Sequence, residues 1–196
     1  MTLIDAIKTC FSKYVIFSGR ATRSEFWKFA LFILLFSMAL VVLNSALFGP
    51  TVTEQIQVSV NAQGEQTQSI RRHLSYNGGW FGTVFTLIVA LPWLAVTWRR
   101  LHDTGRRGLL ALLPLVGFAL LAAVLLLTGN PVPIDSSALP ADAQFPESVN
   151  VPSSPAAFIA AWLLTFGSII TVVVWLARPS QPGPNKYGPN PHEVPQ

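Results

Sequence analysis

Four long apolar segments without ionisable side chains dominate the hydrophobic pattern of this chain. They cover residues 29–48, 80–98, 109–128 and 156–177, and each is 19 to 22 residues long. An α-helix rises about 1.5 Å per residue, so each segment matches the thickness of the hydrocarbon core of a bilayer. Because backbone polar groups in lipid must be satisfied within their own segment, the pattern predicts four transmembrane helices.

These helices predict a single membrane domain of the all-α class. We assign the transmembrane helices to residues 23–49, 80–100, 109–128 and 156–177. The remaining segments are an N-terminal helix in 1–22, outer loops over 50–79 and 129–155, a cytoplasmic turn over 101–108 and a proline-rich tail over 178–196. Pro92 and Pro114 fall in the second and third helices, where we expect each proline to cause a bend.

The N-terminal segment has the periodicity of a short amphipathic helix. Its apolar positions recur at three- and four-residue steps, at Leu3, Ile7, Cys10, Phe11 and Tyr14. Such a helix lies in the headgroup region or packs against the helix bundle, and the sequence favours neither arrangement. Cys10 is the single cysteine of the chain, which excludes an intramolecular disulfide and favours a structural role.

The two outer loops differ in pattern. Residues 55–62 alternate between polar and apolar, Gly64 offers a turn, and residues 65–72 form a candidate return strand, so we predict a small exposed β-hairpin. The second outer loop contains six prolines, and we expect it to be irregular and mobile.

Composition and charge then narrow the class of protein. Only 11% of the residues are charged, against about 25% in an average soluble domain. This scarcity excludes a soluble enzyme, a disordered chain and a nucleic-acid-binding domain. Of the 13 basic residues, 11 lie in residues 1–28, 99–107 and 178–186, which predicts that both termini are cytoplasmic. The net charge of +4 therefore reflects membrane orientation and attraction to anionic lipid headgroups.

Three polar motifs lie on this predicted cytoplasmic side. Their members are Arg20, Arg23, Glu25 and Trp27; Arg99, Arg100, His102, Asp103, Gly105, Arg106, Arg107 and Gly108; and Asn185, Tyr187, Gly188 and Pro189. In this order the motifs resemble the small bacterial inner-membrane proteins grouped as domain of unknown function 805, over nearly the whole chain. Leu109 departs from the resemblance, because the family often has tryptophan at that place. The resemblance implies a multi-pass inner-membrane protein and no established molecular activity.

The second motif permits three interpretations. Asp103 pairs with Arg20 or Arg23 and stabilises a helix-end turn, in which Gly105 takes a left-handed conformation. Alternatively, the arginines hold an anionic headgroup or another phosphate-bearing ligand. Catalysis by His102 and Asp103 is the least favoured interpretation, because neighbouring side chains on a helix point about 100° apart.

The first and third motifs also leave alternatives open. Thr22 and Glu25 have the spacing of a capping box. We therefore interpret Glu25 first as a residue that begins the first transmembrane helix, and only second as a catalytic residue. In the tail, Tyr187 docks on the cytoplasmic face while the prolines keep the chain extended, or the whole tail is disordered.

Together these features predict a non-enzymatic component of the cell envelope. We expect no catalytic residue, metal or cofactor, because no metal-ligand spacing of the HExxH or CxxC kind occurs. The expected partners are anionic membrane lipids, a membrane protein or further copies of the chain, and not nucleic acid. The alternative function is a small oligomeric transporter or channel, although the apolar segments carry no ionisable side chain of the kind that ion-coupled carriers use.

Overall fold

A computed structural model describes residues 1–60, 66–133, 148–152 and 154–193. Its elements, in chain order, are helices α1 (Leu3–Ser12) and α2 (Arg23–Phe48), strands β1 (Thr51–Val60) and β2 (Gln66–Ser75), helix α3 (Gly79–Asp103), a 3₁₀ helix (Gly108–Leu112), helix α4 (Leu113–Thr128), strands β3 (Gly129–Pro133) and β4 (Ser148–Pro152), and helix α5 (Pro155–Ala177). Within the described ranges, helices therefore account for most of the structure.

Four helical segments are long and apolar enough to cross a membrane. They are α2, α3, α5 and the continuous segment Gly108–Thr128, which joins the 3₁₀ helix to α4. Large apolar side chains on these helices stay exposed, for example Val42, Leu127 and Leu163. Exposed apolar faces of this extent are costly in water and suit contact with lipid tails. The prediction of four membrane-length helices is confirmed.

The buried apolar core lies at one end of the bundle. This end, called the basic end below, comprises α1, the start of α2, the end of α3 with residues 104–107, and the end of α5 with the tail that follows it. The core side chains are Cys10, Ala21, Phe26, Phe29, Val96, Leu101, Val172 and Leu176. Four helices contribute to this core, so α1, α2, α3 and α5 are fixed relative to one another at the basic end.

Helix α1 packs one face on the bundle. Thr2 and Asp5 form a reciprocal capping box at its start, and Ala6 and Cys10 are fully buried. Ile4 is exposed on the opposite side. Of the two arrangements expected for this segment, the structure therefore shows packing against the bundle.

The start of α2 differs from the predicted capping box. Thr22 does cap the helix, because its side chain accepts a hydrogen bond from the backbone N–H of Glu25 at 3.1 Å. The reciprocal half is replaced, since the Glu25 carboxylate forms an ion pair with Arg99 instead. A buried carboxylate gains more from a guanidinium than from one backbone N–H, which explains the difference.

Two antiparallel hairpins lie between the long helices. Strands β1 and β2 pair from Thr51 opposite Ser75 to Val60 opposite Gln66, which confirms the predicted hairpin, although its turn at Gly64 lies outside the described residues. The fold is therefore mostly α-helical with a small β-hairpin in addition.

The sequence predicts an irregular second outer loop. This prediction is wrong for the two ends of the loop, which form strands. Strands β3 and β4 pair from Gly129 opposite Pro152 to Pro133 opposite Ser148. A two-stranded ribbon has a free edge on each strand, where a proline without an N–H removes no ladder hydrogen bond. Residues 134–147, the middle of this loop, lie outside the described part of the chain.

The two helix prolines have different positions. Pro92 lies inside α3, as expected. Pro114 lies in the first turn of α4, directly after the 3₁₀ helix. Proline fits the first turn of a helix because its missing N–H would have no partner there, so Pro114 begins the α-helical part of the third span.

Candidate functional site

The three polar motifs meet at the basic end in a buried cluster of charged side chains. Arg20 comes from the segment before α2, Arg100 and Asp103 come from the last turn of α3, and the tail after α5 covers them. The carboxylate of Asp103 has no solvent exposure. Its Oδ1 accepts from Arg20 Nε at 2.8 Å, while Oδ2 accepts from Arg100 Nη1 and from Ser180 Oγ. Asp103 therefore joins three segments that are far apart in sequence.

Arg20 fastens the tail to this carboxylate. Its Nη1 donates to the carbonyl of Gly183 at 2.8 Å, and its Nη2 donates to the carbonyl of Gln181 at 2.6 Å. The N–H of Gln181 in turn donates to the backbone carbonyl of Asp103 at 2.9 Å. One guanidinium thus binds the end of α3 and two points of the tail at the same time.

Arg100 closes the end of α5. Its Nε donates to the carbonyl of Leu176 at 2.9 Å, and its Nη2 donates to the carbonyl of Arg178. The last carbonyls of a helix have no partner within the helix, so a buried guanidinium at this place satisfies groups that would otherwise be costly. Arg100 is fully buried and acts as this cap.

A second ion pair lies beside the first. Arg99 Nη1 donates to Glu25 Oε1 at 2.7 Å, and both side chains are buried. Cys10 Sγ lies 3.9 Å from the same oxygen. Burial raises the pKa of the Cys10 thiol to about 12, and the charge of Glu25 adds to this rise. Cys10 therefore stays protonated and packs as a small apolar group.

The buried cluster carries an excess of positive charge. Its three arginines, Arg20, Arg99 and Arg100, face two carboxylates, Glu25 and Asp103. Within the described residues, Nε and Nη2 of Arg99 have no hydrogen-bond partner. Removing either carboxylate from such a cluster leaves unpaired buried charge, which costs about 3–5 kcal/mol for a buried pair.

His102 is held between the first motif and the tail. Its Nδ1 lies 3.2 Å from the carbonyl oxygen of Gly19, and since a carbonyl only accepts, we assign the ring proton to Nδ1. The imidazole stacks on the Tyr187 ring with centroids 3.7 Å apart. Of the two alternatives for the tail, docking of Tyr187 is the one the structure shows.

The tail is shaped locally around Asn185. Its side-chain nitrogen donates to the backbone carbonyl of His102 at 3.0 Å, and its side-chain oxygen accepts from the N–H of Tyr187 at 2.9 Å. Asn185 and Gly188 also form an isolated antiparallel bridge. These contacts fold residues 185–188 into a tight loop that presents Tyr187 to His102.

Two glycines of the second motif allow close contacts. Gly105 has φ +75°, the left-handed conformation predicted for it, and a Cβ there would lie 2.6 Å from the side-chain oxygen of Gln181. A Cβ at Gly108 would lie 2.0 Å from the Trp98 ring. The glycines therefore let the chain turn beneath the tail and re-enter the bundle beside Trp98.

Other predicted site residues lie at the surface around the cluster. Arg23 is exposed, and its Nε donates to the carbonyl of Arg178 at 2.8 Å. The guanidinium of Arg106 lies over the Trp175 ring, 4.8 Å from its centroid. The remaining three are exposed and outside the cluster: Trp27, Arg107 and Pro189.

The interpretation that all the arginines of the second motif hold an anionic ligand therefore needs correction. Arg106 and Arg107 are accessible, whereas Arg99 and Arg100 are buried and engaged by carboxylates and carbonyls. The physical reason is position on the helix, because Arg99 and Arg100 belong to α3 and face the bundle, while the later pair follows the turn at Gly105.

Several contributors carried no signal in the sequence. Ser180 and Gln181 bind Asp103 from a segment that reads only as a proline-rich tail. Trp98 was counted as part of an apolar run, although it packs edge-on against His102 and fills the space above Gly108. A tail wrapped back across a helix end is a tertiary contact, and local patterns do not encode it.

The geometry of His102 and Asp103 bears on the catalytic interpretation. Both carboxylate oxygens of Asp103 accept hydrogen bonds, from arginines and from Ser180. The Nδ1 of His102 contacts the carbonyl of Gly19, and one face of its ring stacks on Tyr187. The two side chains thus point to different partners. Across the described residues, no group of three histidine, cysteine, aspartate or glutamate side chains is placed to hold a metal ion.

Comparison with known proteins shows the family to which the chain belongs. Residues 14–189 match the model of a family described as protein of unknown function DUF805. The inner membrane protein YhaH of Escherichia coli K12 is 33% identical over 121 residues, which cover 60% of this chain and 81% of YhaH, and YhaH of the O157:H7 strain gives the same figures. No solved structure matches the chain. With four membrane-length helices and the family match over most of its length, the chain belongs to the DUF805 family of membrane proteins.

Proposed function

We propose that this chain is a non-enzymatic inner-membrane protein whose basic end is cytoplasmic and binds anionic lipid headgroups. Inner-membrane location is supported by the similarity to YhaH. The cytoplasmic placement of the basic end, and of both termini with it, is supported by the enrichment of lysine and arginine there. Anionic lipids are abundant on the cytoplasmic side of membranes and attract such groups.

One observation carries the proposal, namely that basic side chains far outnumber acidic ones outside the buried cluster of the basic end. Glu25 and Asp103 are buried in ion pairs with the three buried arginines. Basic side chains outside the buried cluster then outnumber acidic ones by eight to two in the same segments: Lys8, Lys13, Arg23, Lys28, Arg106, Arg107, Arg178 and Lys186 against Asp5 and Glu193. The side chains outside the buried cluster therefore keep a net charge of +6, the difference between these eight basic and two acidic residues.

The absence of catalysis is part of the proposal. The hydrogen bonds of His102 and Asp103 to different partners support it, since a base and its orienting carboxylate would need to contact each other. The same contacts support a structural role for both residues at the junction of α3 with the tail.

Lipid binding is tested with the purified full-length chain and native mass spectrometry. We expect phosphatidylglycerol to be retained at least tenfold better than phosphatidylcholine, with a preference that weakens as salt is raised, because exposed charges are screened. Equal retention of the two lipids would overturn the proposal. An unrelated four-helix membrane protein without an excess of basic residues serves as the control for the detergent and the lipids.

A transporter or channel is the second candidate. A groove of about 780 Å³ opens between α2 and the start of α3, far from the basic end. Ser37, Thr83 and Thr86 contribute hydroxyl groups to its wall. Flux of candidate solutes into proteoliposomes tests this function. Flux that is abolished by Thr83→Val, with the fold unchanged, would favour it over the lipid-binding role.

A further inference from the structure

We propose that Arg106 and Arg178, held beside Trp175 at the end of α5, form a specific site for the phosphate of an anionic phospholipid. This inference rests on the proposed function and assigns it to particular side chains. The other basic residues at the surface then contribute only general attraction.

The first part of the site is the stacked arginine. The guanidinium of Arg106 lies over the indole of Trp175, 4.8 Å from the ring centroid, and its Nη1 donates to the carbonyl of Thr104 at 3.3 Å. A guanidinium on an aromatic face is held in one orientation while its other N–H groups stay free to donate. Arg106 thus has the fixed geometry of a binding group and is not a freely moving surface charge.

The second part is Arg178, which follows the last turn of α5. Its own N–H bonds to the carbonyl of Trp175, so its backbone is one turn from the indole that carries Arg106. Its carbonyl accepts from both Arg23 and Arg100. The buried cluster therefore fixes the backbone of Arg178, while its side chain is exposed and has no ion pair within the described residues.

The electrostatics of the site favour an anion. The carbonyls at the end of α5, which would repel a phosphate, are occupied by Arg100 and Arg23. The carboxylate of Asp103, at the end of α3, is buried and neutralised by Arg20 and Arg100. Burial lowers the pKa of Arg106, and the positive charge of Arg178 lowers it further.

The position of the site selects a lipid as the source of the phosphate. Trp175 belongs to the last turn of a membrane-length helix, at the level where tryptophan marks the boundary between lipid tails and headgroups. Val173 and Val174, in the same turn, are exposed apolar side chains suited to contact with acyl chains. A phosphate between Arg106 and Arg178 would therefore have its acyl chains alongside α5.

The test compares two double variants that remove the same charge. Arg106→Gln with Arg178→Gln removes the proposed site, and Arg107→Gln with Lys8→Gln removes two exposed basic groups of the basic end. All three delipidated full-length proteins are titrated with phosphatidylglycerol by native mass spectrometry at 0.15 M salt. General attraction contributes up to about fivefold per basic residue, so the control should bind at most about 25-fold more weakly. The site variant also loses hydrogen bonds to the phosphate and should bind about tenfold more weakly than the control.

Three outcomes decide between the ideas. Equal weakening of both double variants would overturn the site and leave the proposed function standing, because diffuse charge would then account for binding. A wild-type chain without preference for phosphatidylglycerol over phosphatidylcholine would overturn the proposed function itself. Displacement of phosphatidylglycerol by an equal concentration of glycerol phosphate would overturn the lipid as the source of the phosphate.

A third variant tests the geometry without changing charge. Trp175→Leu keeps both arginines but removes the aromatic face that orients Arg106, and we expect several-fold weaker lipid binding with unchanged circular dichroism. Binding equal to wild type would overturn the role of the stacked arginine. The Arg178 side chain is exposed and its carbonyl makes the structural contacts, so Arg178→Gln preserves the fold. Circular dichroism checks the fold of the variants that carry Arg106→Gln.

Discussion

At the scale of single residues, the basic end depends on one carboxylate. Asp103 is fully buried and neutralises parts of two arginines, Arg20 and Arg100, which in turn bind the tail and the end of α5. Buried ion pairs add little net stability over a well-packed apolar core, but breaking one is expensive because the partner stays charged. The role of Asp103 is therefore to specify one arrangement of three segments.

Asp103→Asn should strongly destabilise the protein. The substitution keeps the size and one acceptor oxygen but leaves two buried guanidiniums without a counter-charge, at a cost of about 3–5 kcal/mol. Thermal unfolding in detergent measures the change. Glu193→Gln is the matched control, because Glu193 is exposed in the tail and its neutralisation should cost less than about 1 kcal/mol. Similar losses for the two variants would contradict the central place of Asp103.

Cys10 should react slowly with thiol reagents in the folded protein. Its raised pKa of about 12 lowers the thiolate fraction at neutral pH about a thousandfold relative to an ordinary thiol, and the side chain is fully buried. Since the unfolded thiol ionises at about pH 8.5, the stability contributed by protonated Cys10 is complete below that pH and is lost as pH rises towards 12.

The measurement is maleimide labelling of the folded chain at pH 7 and pH 9. We expect little labelling at either pH and complete labelling after unfolding. In parallel, the stability difference between wild type and Cys10→Ser should shrink as pH rises from 8 to 11. Rapid labelling of the folded protein at pH 7 would show that Cys10 is accessible and ionised.

At the scale of elements, sequence patterns predicted what local periodicity controls. The four membrane-length helices follow from apolar segments of bilayer length, and the β1–β2 hairpin follows from alternation of polar and apolar residues. The β3–β4 pairing was missed because prolines indicate irregular chain unless they lie on the free edges of a ribbon. The left-handed turn at Gly105 was predicted. The sequence did not show the close approach of Gln181 from the tail, which leaves no room for a Cβ at this turn.

Gly105→Ala should loosen the tail more than it disturbs the helices. The substitution places a Cβ at φ +75°, which costs about 1–2 kcal/mol, and pushes it against the Gln181 side chain. Hydrogen exchange of residues 181–190 should become faster while the centre of α3 stays protected. Gly167→Ala is the control, because that glycine is helical with open space around it and alanine there should stabilise by about 0.5–1 kcal/mol. Unchanged exchange in the tail would contradict the role of the turn.

At the scale of the whole molecule, the two ends of the bundle have opposite chemistry. The basic end contains the buried ion pairs, the docked tail and the exposed arginines, and the other end contains the two hairpins. The sequence predicted which residues share the basic end, because charge follows membrane orientation. It did not predict which arginines are buried, because the burial of Arg99 and Arg100 depends on where the last turn of α3 meets Glu25, Asp103 and the end of α5.

This polarity predicts the orientation of the chain in the membrane. Single cysteines introduced by Lys186→Cys and Tyr76→Cys, each in a Cys10→Ser background, probe the two ends at exposed positions. In intact spheroplasts a membrane-impermeant maleimide should label the Tyr76→Cys chain, and the Lys186→Cys chain should be labelled only after the membrane is opened. We expect this orientation because positive charge is retained on the cytoplasmic side during insertion. The reverse labelling pattern would place the basic end outside and overturn the proposal that it binds cytoplasmic anionic lipid.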